Sequence, residues 1–235
     1  MQTLIALALA LVIPRTDNLE PYRYFGDRTV LVPLAVHALE PEGLTIRADL
    51  VQLTSNLSVP IGAEVEVPLV ENSFQLDLSV PLPAVERETD FELRIWARRS
   101  YDGPWHAAGR VALRAYPGDL LKPVRAWAKS HPLRVEDDNG LLNQFLQQQG
   151  IPVTAAGKTK RRGVALYAGE TTVLFTERKT EIPHFIIDRT GEGTVVRIET
   201  QLLDRLATDP LAQKTLLEVF QLLEEERSAT KGDVQ

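Results

Sequence analysis

Side chains that could act as nucleophiles are scarce in this sequence. Its 235 residues include no cysteine, which removes disulfides, thiolate zinc sites, iron–sulfur clusters and cysteine nucleophiles. No Gly-x-Ser-x-Gly pattern marks a serine nucleophile, and no Gly-x-x-x-x-Gly-Lys pattern marks a phosphate loop. The glycine pair Gly191-Glu192-Gly193 is expected in a hairpin turn, not before a helix, which argues against a dinucleotide site. We therefore predict no catalytic residue and no cofactor.

Carboxylates are the remaining side chains suited to acid–base chemistry. Asp188 ends an apolar stretch, and strand ends in α/β domains can carry chemistry, although a turn-forming aspartate explains the pattern more simply. A hydrolase that uses Asp188 with Glu170 or Asp138 stays open as an alternative function. The run Glu136-Asp137-Asp138 precedes a predicted helix, where acidic groups favour the positive helix end.

Metal binding and nucleic-acid binding both lack support in the sequence. The four histidines are too far apart along the chain to form a local metal motif: His37, His106, His131 and His184. The formal net charge of −6 disfavours a general nucleic-acid binder, because phosphate neutralisation needs a surplus of lysine and arginine. We therefore expect neither a metal nor a nucleic acid as partner.

Three aromatic residues form the candidate surface for a ligand or partner: Trp96, Tyr101 and Trp105. Alternation along the strand that begins near Phe91 places Trp96 on the face opposite Phe91. An exposed aromatic platform of this kind can stack on sugars. The alternative, which the sequence favours, is that the second domain or a neighbouring loop covers Trp96.

A period of two dominates the first half of the chain and indicates the elements that position these residues. Apolar and polar residues alternate over 44–50, 74–80, 91–98 and 110–116, and turn signals such as Asn56-Leu57-Ser58 lie between them. A further alternating stretch, Val65 to Leu69, contains Pro68 and suits an edge strand. Short strands with one polar face each are typical of an antiparallel sandwich.

Beyond Pro117-Gly118, strands alternate with helices. We predict one helix from Asp119 to Lys129, a second capped by Asp138 or Asn139 and ended by Gly150, and a third from Asp209. Short strands are predicted at 151–153, 163–167 and 172–176, and a hairpin at 185–188 and 194–199. This alternation implies a small, partly parallel sheet flanked by helices.

An apolar run from Leu4 to Ile13 opens the chain. It is shorter than the ~20 residues of a membrane-spanning helix but has the length of a signal-peptide core. Ala8-Leu9-Ala10 has small residues at the spacing that signal peptidase prefers. We expect export to the periplasm or beyond, with no membrane span after signal cleavage. The alternative is a buried N-terminal strand or helix of the mature fold.

Two stretches near the C-terminus resemble a known family: GEGTVVRI at 191–198 and LLDRLATDPLA at 202–212. They look like the closing strand and helix of glutamine-amidotransferase-like (flavodoxin-like) domains appended to large bacterial glycoside hydrolases. The preceding sandwich is similar to the immunoglobulin-like modules that often stand before such domains. The resemblance spans roughly Pro21 to Leu223. It implies a catalytically dead accessory domain, because the amidotransferase reaction needs the cysteine that this chain lacks.

The predicted fold class is a β-sandwich (immunoglobulin-like) followed by a small three-layer α/β domain. The expected segments are 1–18, a signal peptide or other N-terminal apolar segment; 19–117, the immunoglobulin-like sandwich; 118–223, the amidotransferase-like α/β domain; and 224–235, a disordered tail. The leading functional hypothesis is a non-catalytic exported protein that binds an envelope protein or a glycan. The alternatives are the carboxylate-dependent hydrolase and a structural subunit of an envelope assembly.

Overall fold

The fold is rich in β-structure, because strands contain more residues than helices do in the part of the chain that the structure describes. The computed structural model describes residues 10–14, 20–38, 44–55, 57–66, 73–99, 103–131, 133–137, 139–155, 164–168, 178–182, 185–190 and 193–232. The chain divides into two compact units, Met1–Gly118 and Asp119–Gln235, which are treated separately below.

The first unit has eight strands among its described residues, β1 to β8. In chain order they are Ala10–Pro14, Tyr22–Phe25, Arg28–Ala38, Leu44–Gln52, Leu57–Glu66, Ser73–Leu82, Thr89–Arg99 and His106–Tyr116. One antiparallel sheet has the order β1-β3-β6, and a second has the order β2-β8-β7-β4-β5. In the second sheet, β2 runs parallel to β8 and the other neighbouring pairs are antiparallel.

One hydrophobic core is shared by both sheets of the first unit. The second sheet contributes Leu93 and Ile95 of β7 and Ile46 of β4 to this core. The first sheet contributes Val32 of β3 and Val80 of β6. Each strand contributes every second residue because successive side chains point to opposite faces. The predicted opposition of Trp96 to Phe91 is confirmed, since Phe91 is buried in this core and Trp96 is only half-buried.

Two tyrosine hydroxyls tie β2 of the second sheet to β3 of the first. Tyr22 donates to the carbonyl oxygen of Pro33, and Tyr24 donates to that of Leu31, each over 2.8 Å. The strand β1 pairs only with residues 34–38 of β3. The hydroxyls therefore satisfy β3 carbonyls beyond the part of its edge that β1 covers.

The second unit has six strands and four helices among its described residues. The strands β9 to β14 are Leu133–Asp137, Thr154–Ala155, Val164–Ala168, Arg178–Ile182, Phe185–Thr190 and Gly193–Ile198. The helices α1 to α4 are Lys122–Ser130, Leu141–Gln148, Thr200–Leu206 and Pro210–Gly232. The strands form a mixed sheet of order β10-β9-β11-β14-β13-β12, parallel from β10 to β14 and antiparallel from β14 to β12.

Helix ends in the second unit differ from the sequence prediction in two of three cases. Asp119 does not cap α1 through its side chain but forms an ion pair with Arg125. The predicted caps Asp138 and Asn139 are also wrong, because α2 begins after Gly140, which has φ +71°. Asp209 does accept a hydrogen bond from the amide of Leu211 over 2.8 Å, which confirms the third cap.

Several predicted boundaries also need correction. Residues 151–153 are not a strand, and β10 follows them; Leu57 and Ser58 lie in β5 rather than in a turn. The helix α4 continues to Gly232, so residues 224–232 are helical and not part of the disordered tail that was predicted for 224–235. The glutamates, the alanine and the lysine of this stretch favour a helix. Ala10–Pro14 forms β1 inside the segment 1–18, so the first unit begins before residue 19. The predicted strand at 172–176 lies outside the described residues.

Candidate functional site

An apolar groove of about 720 Å³ lies in the first unit. It is lined by β4, β5, the end of β6, the loop 83–87 and the start of β7, and we call it the β5 groove. Its lining residues are Leu50, Gln52, Leu57, Val59, Pro60, Ile61, Pro81, Leu82, Pro83, Ala84, Val85, Glu86, Arg87, Thr89 and Phe91. Ligand-binding clefts typically measure ~300–1,000 Å³ and are mainly apolar.

The floor of the β5 groove belongs to the core. Leu50, Ile61, Leu82 and Phe91 line it and are at most 4% exposed. Leu82 comes from the first sheet and the other three from the second. The groove therefore opens onto the space between the two sheets.

The rim of the groove carries core-facing side chains that nothing in the described chain covers. Across β4 and β5, Val59 lies opposite Leu50, and Leu57 lies opposite Gln52. Val59 is two residues from the buried Ile61, so both side chains lie on the same face of the strand. Val59 is nevertheless 51% exposed and Leu57 60%. Because β5 is the last strand of its sheet, Leu57 and Val59 form an apolar edge that is open to solvent.

The opposite wall of the groove is held by the turn between β2 and β3. The amide of Asp27 donates to the carbonyl of Pro83 over 3.1 Å, and Asp27 adopts a φ of 59°. A side chain at Gly26 would place its Cβ 2.6 Å from the same Pro83 oxygen. The close packing of Gly26 therefore holds Pro83, at the start of the loop 83–87, against the turn between β2 and β3.

Polar groups at the mouth of the groove mainly serve the local backbone. The Thr89 hydroxyl donates to the carbonyl of Arg87 over 2.8 Å, and Gln52 exchanges hydrogen bonds with Thr54 and Ser55. Glu86 and Arg87 are exposed, and neither forms an ion pair within the part of the chain that the structure describes. The groove thus offers an apolar interior with one charge of each sign at its mouth.

The predicted aromatic surface lies on the outer, polar face of the second sheet. The Trp96 indole donates to the Asp49 carboxylate over 2.8 Å. The guanidinium carbons of Arg47 and Arg98 lie 4.4 and 4.5 Å from the centre of the Trp105 ring. Both tryptophans are half-buried, and their polar or aromatic groups are engaged by neighbouring side chains. Tyr101 lies outside the described residues.

The carboxylates of the hydrolase hypothesis are only partly described. Asp188 is the fourth residue of β13 and pairs with Val195 and Lys179, so it neither ends a strand nor forms a turn. Three strand intervals separate β13 from β9, which corresponds to about 14 Å between backbones. Glu170 and Asp138 lie outside the described residues.

Asp137, at the end of β9, occupies the N-terminus of α2. Its carboxylate accepts hydrogen bonds from the amides of Leu142 over 2.6 Å and of Asn143 and Asn139 over 3.2 Å. The expectation that the acidic run serves the helix end is confirmed for this residue. The carboxylate takes the backbone donors that an anionic ligand would otherwise use.

The described ranges contain neither a membrane-crossing helix nor a metal-binding cluster of side chains. There, no helix combines the length and the apolar character that crossing a membrane requires. Likewise, the described histidines, aspartates and glutamates form no group of three or more that could hold a metal ion.

No protein-family model matches the sequence, and no curated protein matches it significantly.

The β5 groove was not predicted from the sequence. Its walls come from residues 50–61 and 81–91, which are separated in the chain, and the composition of Asn56-Leu57-Ser58 predicts a turn at Leu57. The detectable signal was the alternation Leu57-Ser58-Val59-Pro60-Ile61, which resembles the other strands but carries a proline.

Proposed function

We propose that this chain is a non-catalytic interaction protein that binds a polypeptide segment of a partner in the β5 groove. The observation that carries the proposal is the exposure of Leu57 and Val59 on the core side of an edge strand, above a floor of buried core residues. Apolar surface of this kind gains free energy when a partner covers it, at roughly 25 cal/mol per Å². Exposed apolar patches beside clefts are typical of interaction sites.

The fold proposal has two parts. We propose an immunoglobulin-like sandwich for the first unit, supported by its shared core and by the position of β1 in one sheet and β2 beside the last strand of the other. We propose a small three-layer α/β domain for the second, supported by four neighbouring parallel strands with α2 between β9 and β10. Its amidotransferase-like character rests on the stretches 191–198 and 202–212, which include β14, most of α3 and the first residues of α4.

The setting of this function is also a proposal. The apolar run at the N-terminus and the spacing of Ala8-Leu9-Ala10 support an exported protein that meets its partner in the cell envelope. A glycan is the second candidate ligand, at Trp96, Tyr101 and Trp105. The engagement of Trp96 by Asp49 and of Trp105 by two arginines favours the groove over this surface.

The test compares two leucines that are equally exposed. Leu57 lies at the groove and Leu31 lies on β3, and each is 60% exposed. A photo-crosslinking amino acid replaces one or the other in the full chain, which is irradiated in the native envelope fraction. We expect one reproducible crosslinked protein from position 57 and none from position 31. The same products from both positions, or no protein product from position 57, would contradict the proposal.

A further inference from the structure

We infer that the occupant of the β5 groove is a short extended segment with one large apolar anchor side chain flanked by basic residues. This inference rests on the proposed function and adds the chemistry of the partner. It combines the shape of the groove, the proline in β5 and the charge of the first unit.

The anchor follows from the groove. Its interior of about 720 Å³ is lined mostly by aliphatic side chains and prolines, and Phe91 lies at its floor. A charged or polar group placed there would lose its hydration without gaining a partner. A large aliphatic or aromatic side chain instead covers Leu57 and Val59 and contacts the floor.

Pro60 indicates that the partner segment binds through its anchor side chain and not through a long series of main-chain hydrogen bonds. The strand β5 pairs with β4 on one side, and no described strand pairs with its other side. An incoming strand would normally extend such an edge through main-chain hydrogen bonds. Pro60 has no N–H and interrupts the ladder in the middle of the groove, as edge prolines do in proteins that avoid edge-to-edge association. Pairing of β5 with β5 of a second copy is disfavoured for the same reason.

The basic flanks follow from charge. The segment Met1–Gly118 contains 15 acidic residues and 10 basic ones, all of them arginine, so its formal charge is −5. The basic side chains are largely engaged: Arg98 pairs with Glu64, Arg94 with Glu92, and Arg114 with Asp90. The exposed Glu86 and Arg87 at the groove mouth carry opposite charges and form no ion pair within the described chain, so the preference rests on the net negative charge of the unit. A cationic segment is therefore attracted to this unit, and an anionic one is repelled.

Isothermal titration calorimetry of the full chain with three nine-residue peptides tests the inference. The first peptide has a central phenylalanine flanked by two lysines on each side within a Gly-Ser background, the second replaces the lysines by glutamates, and the third replaces the phenylalanine by alanine. We expect the first to bind at least about tenfold more tightly than each of the others, a factor that corresponds to about 1.4 kcal/mol. The preference for lysine over glutamate should shrink in 0.5 M salt, where exposed charges are screened over a few ångströms.

Single substitutions show whether the peptide binds at the β5 groove. Leu57→Gln should weaken binding of the first peptide about tenfold, whereas Leu31→Gln, at an equally exposed leucine outside the groove, should leave it unchanged. Glu86→Gln should narrow the lysine preference without removing the phenylalanine preference. Circular dichroism establishes that each variant is folded before its affinity is measured.

The outcomes separate this inference from the proposed function. Equal or tighter binding of the glutamate peptide, still weakened by Leu57→Gln, overturns the basic flanks and leaves the groove as a binding site. Equal binding of the phenylalanine and alanine peptides, or loss of affinity in Leu31→Gln as large as in Leu57→Gln, overturns the anchor and the groove together.

Discussion

Replacing Asp137 by alanine should destabilise the helix α2 locally and leave the first unit unchanged. The Asp137 carboxylate accepts hydrogen bonds from three backbone amides at the start of this helix, those of Asn139, Leu142 and Asn143. Gly140 stands at the N-cap position and has no side chain that could substitute for it. The helix start would therefore lose all of these acceptors at once.

The magnitude follows from the capping interaction. Loss of a capping side chain costs about 0.5–2 kcal/mol, and loss of a negative charge at a helix N-terminus adds to it. We expect about 1.5 kcal/mol, because the 2.6 Å bond to Leu142 is short and Leu142 itself is buried in the core of the second unit. Since 1.4 kcal/mol corresponds to a factor of ten, local opening of α2 should become about tenfold more frequent.

Hydrogen exchange read by mass spectrometry resolves this effect along the chain. Amides of residues 141–148 should exchange about tenfold faster in Asp137→Ala, and amides of the first unit should not change. Asp137→Asn keeps an acceptor oxygen and should show a smaller effect. Asp204→Ala removes an exposed carboxylate from α3 and serves as the matched control. Exchange of α2 that is unchanged in Asp137→Ala, or acceleration of equal size in Asp204→Ala, would refute the capping role.

Three further predictions concern the first unit. Burial raises the pKa of Tyr24 to about 12, so the stability that this hydroxyl contributes should be present below pH 10 and lost as the pH rises from 10 towards 12. Unfolding followed by circular dichroism should therefore show that Tyr24→Phe loses less stability than the parent chain over this pH range. An equally steep loss of stability in both proteins would contradict this. Gly26→Ala should destabilise the unit by about 1–3 kcal/mol, because the new Cβ would lie 2.6 Å from the Pro83 oxygen. Gly118→Ala should be tolerated, because its Cβ would lie at an ordinary 3.6 Å from the Gly26 oxygen. Thermal melts of the two variants measure this difference in stability. Trp96→Phe should cost about 1 kcal/mol in urea unfolding through loss of the bond to Asp49, and a double-mutant cycle with Asp49→Ala should show coupling, whereas additive effects would contradict it.

Regular alternation made much of the first unit predictable. The strands β4, β6, β7 and β8 follow the alternating stretches closely, because one buried face fixes which residues must be apolar. The edge strand β5 was placed too late in the chain, since Leu57 and Val59 are apolar without being buried and Asn56-Leu57-Ser58 has the composition of a turn. Composition alone does not reveal that these apolar side chains of the edge strand are exposed.

The polar interactions of the second unit were less predictable. Preferences for helix caps point to the residue next to the helix, whereas the side chain that caps α2 is Asp137, at the end of the preceding strand. Gly140 makes this possible, because its φ of +71° bends the chain so that a residue four positions before Leu141 reaches the helix amides. Such a contact depends on the path of the loop, which a pattern of residue types does not contain.

The position of β1 bears on where a leader peptide could end if the chain carried one. Ala10–Pro14 pairs with residues 34–38 of β3, so a leader peptide ending at residue 18 would carry a strand of the first sheet away with it. Cleavage directly after Ala10 would instead leave Leu11–Pro14 to fill the place beside β3, with the new amino group at the very edge of the sheet. Because Ala10 to Pro14 already pair with β3 in the full chain, removal of residues 1–18 would leave the edge of β3 open over residues 34–38.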